Sequence, residues 1–442
     1  MMIIGNGTVL TNVRERMLIP DGAVVVENGG IVHVGPGEEI VGKYAGHEFV
    51  DARGGIIMPG LVNLHHHFYS ALARGMVTAG PSPASRNFMQ ILENLWWRLD
   101  KALSLDDIRV SAAVSLADSI RCGVTTIVDH HASFGVIRGT LDAIAGEVRA
   151  FGARACLCFE VSDRCGESAA REAIAENSEF LDAVRKNGDG MLAGLFGLHA
   201  SFTLSDATLA ACREAAGDSG FHVHVAEGGD DVADALGRSG KRVVQRLGEF
   251  GVFGPKTLAV HCVHVSPAEM DILAAADCTV VHNPQSNMGN AVGASPLLQF
   301  FAHDVRVGVG TDGYTHDIFE SAKAAGLLQR HHLANPSVAW GEPYAMLLDT
   351  NPRVAGDMLG VGLGVLEPGA AADVIVVDYH PHTPLLAENI GGHMHFGMYG
   401  QQVATSMING RLVMRDRELL TVDEQALRAE SRELAAKLWQ RI

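Results

Sequence analysis

Three stretches place imidazoles and carboxylates where they could hold a metal ion. "NLHHHFYSALARG" (Asn63–Gly75) carries three consecutive histidines. Side chains two apart on a strand share a face, so His65 and His67 point together with Asn63 below them. His66 points the other way, so the useful motif is His-x-His and His66 is expected to be an outward or supporting residue. "HVHVAE" repeats the spacing at His222 and His224, with Glu227 just beyond. Asp312 in "GVGTDG" adds a carboxylate, although alone it could equally cap the helix of "DIFESAKAAG". Three or so such ligands plus an open position for water are what a catalytic zinc site needs. Imidazole-rich ligation suits zinc or iron, and the residue types do not choose between them.

These residues need elements to carry them. The middle of the chain alternates apolar strand-like runs with helix-like segments. The runs are "PGLVNLH", "GVTTIVDH", "RACLCFE", "AGLFGLH", "FHVHVAE", "TLAVHC", "CTVVHN" and "RVGVGTD". Between them, "SLDDIRVSAAVSLADSIRCG" opens with a Ser-x-x-Asp cap at Ser104. "DDVADALGRSGKRVVQRLGEFG" reads as another amphipathic helix. Eight strands alternating with helices predict an α/β fold, a closed (β/α)8 TIM barrel, with a doubly wound open sheet as the alternative. In a parallel barrel the active site forms at the C-terminal strand ends. Those ends hold His65 and His67, His130 and His131, His199, His222 and His224, His261, His282 and Asp312. The fourth run has no lysine that could bridge two metals, so one ion is expected.

Both chain ends are strand-rich, with Asn-Gly turns at Asn28 and Asn409. They predict a small β-sandwich domain assembled from residues 1–57 and 363–442, including a C-terminal helix, around a barrel at 58–362. A long interval near 70–103, containing "GPSPASRNFMQILENLWWRLDKAL", reads as a lid inserted after the first strand. Trp96 and Trp97 could close over a ring-shaped ligand or simply pack that helix down.

The net charge of −17 disfavours a nucleic-acid partner, and every apolar run is interrupted before it could span a membrane. No signal peptide is read at the N-terminus. The seven scattered cysteines read as reduced thiols, and the expected location is cytoplasmic.

"PGLVNLHHH", "HVHVAE", "AVHC", "VHNPQSN" and "GTDG", in this order, resemble the amidohydrolase superfamily, in its mononuclear deaminase and chlorohydrolase-like branch. "LENLWWRLDKAL", "VDHHAS", "SNMGNAVG" and "AENIGGHMHFGM" are similar to SsnA-type aminohydrolases associated with purine catabolism. His66 and the "NPQSN" loop depart from that group's pattern. The resemblance covers essentially the whole chain. It implies that His65, His67, His224 and Asp312 bind one divalent metal ion, zinc first and iron second. His261 would hold the attacking water, Glu227 would move a proton to the substrate ring, and Asp312 would take the water's proton. His199 and His282 would contact substrate, and His131, Gln285, Tyr69 and Arg74 are further candidates to face the pocket. The expected function is a metal-dependent aminohydrolase that cleaves a C–N bond of a purine- or pterin-like heterocycle. Ring opening of a cyclic amide is the alternative chemistry, and a non-catalytic metal-binding protein the remote one. The expected partners are a small heterocyclic substrate and further copies of the chain, as a dimer or larger homo-oligomer.

Overall fold

The computed structural model describes residues 1–77 and 85–442. Parallel strands run in two arcs. The first arc is Leu61–His66, Val124–Asp129, Arg154–Leu157 and Leu192–Gly194. The second is Phe196–Ala200, Phe221–Val225, Leu258–His261, Thr279–His282 and Arg306–Val309. Leu192–Gly194 and Phe196–Ala200 are two halves of one fourth strand, interrupted at Leu195, whose amide still bonds Leu157 O. The ring closes where the amides of Thr311 and Asp312 both donate to His65 O, at 3.0 Å each. Asn63 sutures the same seam, donating to Thr311 Oγ1 at 2.7 Å and accepting from the Thr311 amide at 3.2 Å. The eight-position closed barrel therefore replaces the open-sheet alternative.

Local sequence explains the covering helices. Ser104 and Asp107 form a reciprocal capping box at the start of Leu105–Arg121. The segment read as one helix after Glu227 is two, Gly229–Ser239 and Val243–Glu249, because Gly240 adopts φ +69° and turns the chain. The cap of Ile318–His332 is Asp317, whose carboxylate accepts from the amides of Phe319 and Glu320. Asp312 is thereby freed from the capping role.

Strands from both termini form one nine-stranded sheet. Met2–Leu10 is its organiser. Its first half pairs with Glu48–Asp51 and its second with Ile56–Pro59, and the register shifts between Ile4 and Val9, where Asn6 has φ +59°. Both Asn-Gly turns have positive φ at the two residues, as a tight hairpin requires. An apolar core of its own, including Ile4, Val24, Ile57, Val374 and Met407, fills this sheet. The C-terminal helix Glu424–Trp439, expected with the sheet, packs instead on barrel helix Leu105–Arg121. Ion pairs Arg109–Glu430 and Arg121–Glu424 tie the two helices, and Trp439 Nε1 donates to Leu72 O at 2.8 Å.

The insertion after the first strand supplies three short helical turns, Phe88–Ile91, Leu92–Trp96 and Trp97–Ala102. The part of the expected lid at 78–84 lies outside the described residues.

Candidate active site

Four imidazoles and a carboxylate converge at the C-terminal mouth of the barrel. The donor atoms of His65, His67 and His224 lie within 4.8 Å of one another, as do those of His65, His261 and Asp312. Asp312 Oδ1 is 3.4 Å from His67 Nε2 and 4.0 Å from His65 Nε2, and Oδ2 is 3.6 Å from His261 Nε2. His224 Nε2 lies 3.4 Å from His67 Nε2.

The outer nitrogens of these rings are all engaged. His67 Nδ1 donates to His130 O at 2.5 Å, His224 Nδ1 to His199 O at 2.9 Å and His261 Nδ1 to Asn287 Oδ1 at 2.8 Å. His65 Nδ1 donates to His222 Nε2 at 2.9 Å, and His222 Nδ1 in turn faces Cys158 Sγ at 3.6 Å. Each ring therefore presents an Nε2 lone pair to the centre, the tautomer that metal-binding histidines are held in by such outer partners. His65 Nε2 and His261 Nε2 are buried without a protein partner, which is costly unless a ligand completes them. The donor set fits a divalent ion held by His65, His67, His224 and Asp312.

Backbone strain gathers at the same rim. His261 and Asp312 adopt φ +69° and +55°, a left-handed conformation that non-glycine residues occupy only when the surroundings impose it. Gly310 cannot carry a side chain, since a Cβ would meet Asn283 Oδ1 at 2.4 Å.

The first strand keeps His65 and His67 together but does not alternate strictly. Its register against the second strand breaks between Asn63 and His66, and Val62 and Leu64 belong to the apolar barrel interior. His66 turns away from the centre. Its Nδ1 donates to Asp312 O at 2.6 Å and it packs against His316.

Electrostatics separate the two carboxyls. Burial, then the nearby Asp312 charge, pushes Glu227 well above the usual carboxylate range. Burial alone would raise Asp312 too, but His67, His261, Ser286 and the Gly313 amide hold it below its usual value. Glu227 Oε2 sits 3.3 Å from His261 Nε2, and Oε1 accepts from Asn290 at 3.4 Å. Burial lowers His65, His224 and His261, keeping the rings neutral.

A cavity opens directly above the cluster. His67, His224, His261, Glu227 and Asp312 form its floor, and Tyr69 and His199 stand in its wall. Trp96, Trp97 and Phe88 from the insertion also line it, so both tryptophans face the space over the cluster. Four expected substrate-facing residues do not line it. Arg74 pairs with Asp118 at 2.9 Å, and Gln285 accepts from Ser321 at 2.7 Å; both border a separate outer groove. His131 Nε2 is bonded to Ser133 at 2.8 Å, and His282 is fully buried beyond the cavity wall. Being at a strand end does not suffice, because the side chain must also turn inward. The sequence reading missed Asp100, Glu160 and Arg164, which line the cavity. Glu160 and Arg164 follow the third strand's end, a position that could have flagged them. Asp100 lies on the inserted helix and carries no such signal.

The amidohydrolase family model matches residues 56–413. The chain belongs to the amidohydrolase family. These enzymes hydrolyse C–N bonds and bind a divalent metal. This amidohydrolase is 31% identical over 449 residues to a 5'-deoxyadenosine deaminase of Methanosarcina mazei, covering 100% of this chain and 99% of that one. It is 32% identical over 445 residues to a 5-methylthioadenosine/S-adenosylhomocysteine deaminase of Desulforudis audaxviator, covering 96% and 98%. A zinc-bound adenosine deaminase structure from Xanthomonas campestris superposes with a TM-score of 0.87 at 25% identity, covering 99% and 98%. The zinc complex of atrazine chlorohydrolase from Arthrobacter aurescens, at 22% identity and a TM-score of 0.79 over 98% of this chain and 100% of that one, shares the fold. No helix among the described residues is long and apolar enough to cross a membrane.

Proposed function

We propose that this amidohydrolase is a zinc-dependent deaminase that removes an exocyclic amine from a purine-type ring carried on a nucleoside-like substrate. The observation that carries the reading is the pair Glu227 and Asp312, whose surroundings push their acidities apart on either side of His261. Two carboxyls so separated serve as acid and base in one site at neutral pH. The relatives named above are adenosine-type deaminases, which supports the ring class.

One ion is expected. The second cluster, His130, Glu160 and His224, shares His224 with the first, and that ring has one nitrogen to give, because its Nδ1 bonds His199 O. When bound, a divalent ion supplies Lewis acidity, which lowers the pKa of a coordinated water from about 15.7 to about 7. Asp312, ionised, accepts the proton of the attacking water. His261, neutral and fixed by Asn287, accepts a hydrogen bond that orients that water. Glu227, protonated, delivers its proton to the ring nitrogen as the carbon becomes tetrahedral. Asp312 then returns a proton to the departing amine. Trp96, Trp97 and Phe88 supply the apolar cover that excludes bulk water.

The test is a panel of purines, purine nucleosides, pterins and cyclic ureides given to zinc-loaded protein, with ammonia and ring absorbance followed separately. Ammonia release with the ring intact supports the reading. Loss of ring absorbance without exocyclic deamination replaces it with ring opening. Metal analysis giving one tightly held equivalent per chain is expected, and two required equivalents would overturn the single-ion site.

A further inference from the structure

The four imidazoles at the barrel mouth differ in what holds their outer nitrogen. His67 and His224 donate to the backbone carbonyls of His130 and His199, and His261 donates to the side-chain oxygen of Asn287. Such oxygens only accept, so these three rings carry their proton on Nδ1. His65 is different. Its Nδ1 meets a second imidazole, His222 Nε2, at 2.9 Å. A neutral imidazole nitrogen can donate or accept, so this contact alone fixes neither ring. Two chains of hydrogen bonds satisfy it. In one, His65 donates to His222 and turns a lone pair at Nε2 to the centre. In the other, His222 donates to His65, and an N–H at Nε2 would block a metal ion.

The next link separates the two. His222 Nδ1 lies 3.6 Å from Cys158 Sγ, and the Cys158 thiol donates to Asp129 O at 3.5 Å. With the thiol hydrogen on that carbonyl, the sulfur offers His222 only a lone pair. His222 therefore holds its proton on Nδ1, and its Nε2 accepts from His65. His65, His222 and Cys158 have no exposure, and the sulfur packs in the apolar barrel interior with Val62, Val128 and Leu195. A buried N–H left there without an acceptor is costly. We propose that Cys158 and His222 are positioning residues, a relay across the barrel interior that sets the tautomer of His65 and with it the affinity for the metal ion. This rests on the metal site described above and assigns a task to a cysteine that the sequence reading left as an idle thiol.

The test measures zinc affinity on metal-stripped protein by competition with a chromophoric chelator, with circular dichroism confirming the fold. Cys158→Val removes the acceptor and is expected to weaken zinc binding about 10–100-fold, the usual effect of losing an outer partner of a ligand. Cys158→Ser keeps an acceptor and a hydroxyl hydrogen, so its affinity should stay near that of the unsubstituted protein. Cys156→Val makes the same change in the same apolar core and should leave affinity unchanged. His222→Gln places an amide oxygen near the Nε2 position and does not reach the Nδ1 side. It should retain zinc, and on that background the Cys158→Val loss should disappear. If Cys158→Val does not fold, Cys158→Ala takes its place in the same cycle. Unchanged affinity in the folded Cys158 variant overturns the relay and leaves the metal site standing. An equal loss with and without His222→Gln also overturns it, leaving a packing effect of Cys158. Failure of the unsubstituted protein to bind zinc overturns the relay and the metal site together.

Discussion

In the proposed mechanism Glu227 carries a proton and does not bind the metal, because His65, His67, His224 and Asp312 would supply the donor set while Glu227 faces His261 and Asn290. Glu227→Gln keeps the shape and the Asn290 contact but removes the titratable proton. It should retain its metal and still bind substrate, while turnover falls about 10²–10⁴-fold, the usual cost of losing general acid–base catalysis. Asp312→Asn should lose metal and activity together. Elemental analysis alongside turnover on both variants separates the two roles, and a metal-free Glu227→Gln protein contradicts the assignment. His66 supplies a contrast within one motif. It bonds Asp312 O and meets His316, so His66→Ala should leave metal content near that of the unsubstituted protein, whereas His65→Ala should strip it. Equal metal loss in both would mean that the first strand presents His66 to the centre.

At the level of elements, the cover of the cavity is braced from a distant part of the chain. The C-terminal helix Glu424–Trp439 lies on Leu105–Arg121, and Trp439 Nε1 bonds Leu72 O at the start of the insertion. Arg441 also donates to Ala102 O, at the end of Trp97–Ala102, at 3.0 Å. Trp439→Leu removes the hydrogen bond and much of the half-buried ring, a loss of about 1–3 kcal/mol. The expected outcome is a lower denaturant midpoint and a raised KM, with kcat and metal content nearly unchanged. A variant whose KM is unaltered would show that the helix stabilises the barrel without positioning the cover.

For the whole molecule, the buried imidazoles set the response to acid. Burial lowers nine histidines that have almost no exposure: His65, His66, His130, His131, His199, His222, His224, His261 and His282. Each binds its proton more readily in the unfolded chain. Their contribution is complete above the unfolded value near 6.5 and is lost as pH falls, with His131 and His282 extending the window down to about 3. Asp100 and Asp231, both raised to about 7 by burial, act in the opposite sense and lose their contribution as pH rises from 3.8 through that value. The histidines are more numerous, so unfolding free energy should fall steeply between pH 6.5 and 4. Urea unfolding of metal-stripped protein at a series of pH values measures this directly, and a flat profile over that window would contradict it.

The sequence by itself determined the barrel and brought forward the histidines and the aspartate that converge at its mouth. Alternating runs, the Ser104 cap, the Asn-Gly turns and histidines at strand ends are local patterns, and local patterns follow from backbone geometry and side-chain type. It also singled out Glu227, three residues after His224, which lines the cavity beside His261. Only the tertiary structure decided which strand-end groups reach the cavity. His131 and His282 stay outside its lining although their positions in the chain look equivalent to that of His199. Asp100, Glu160 and Arg164 came together only when an inserted helix met the loop after the third strand, a meeting that no periodicity encodes. The C-terminal helix likewise left the sheet for the barrel because its partners, Arg109, Arg121 and Leu72, lie more than three hundred residues away in the chain. Pairings across such separations depend on how the whole chain packs, so they are absent from any short window of sequence.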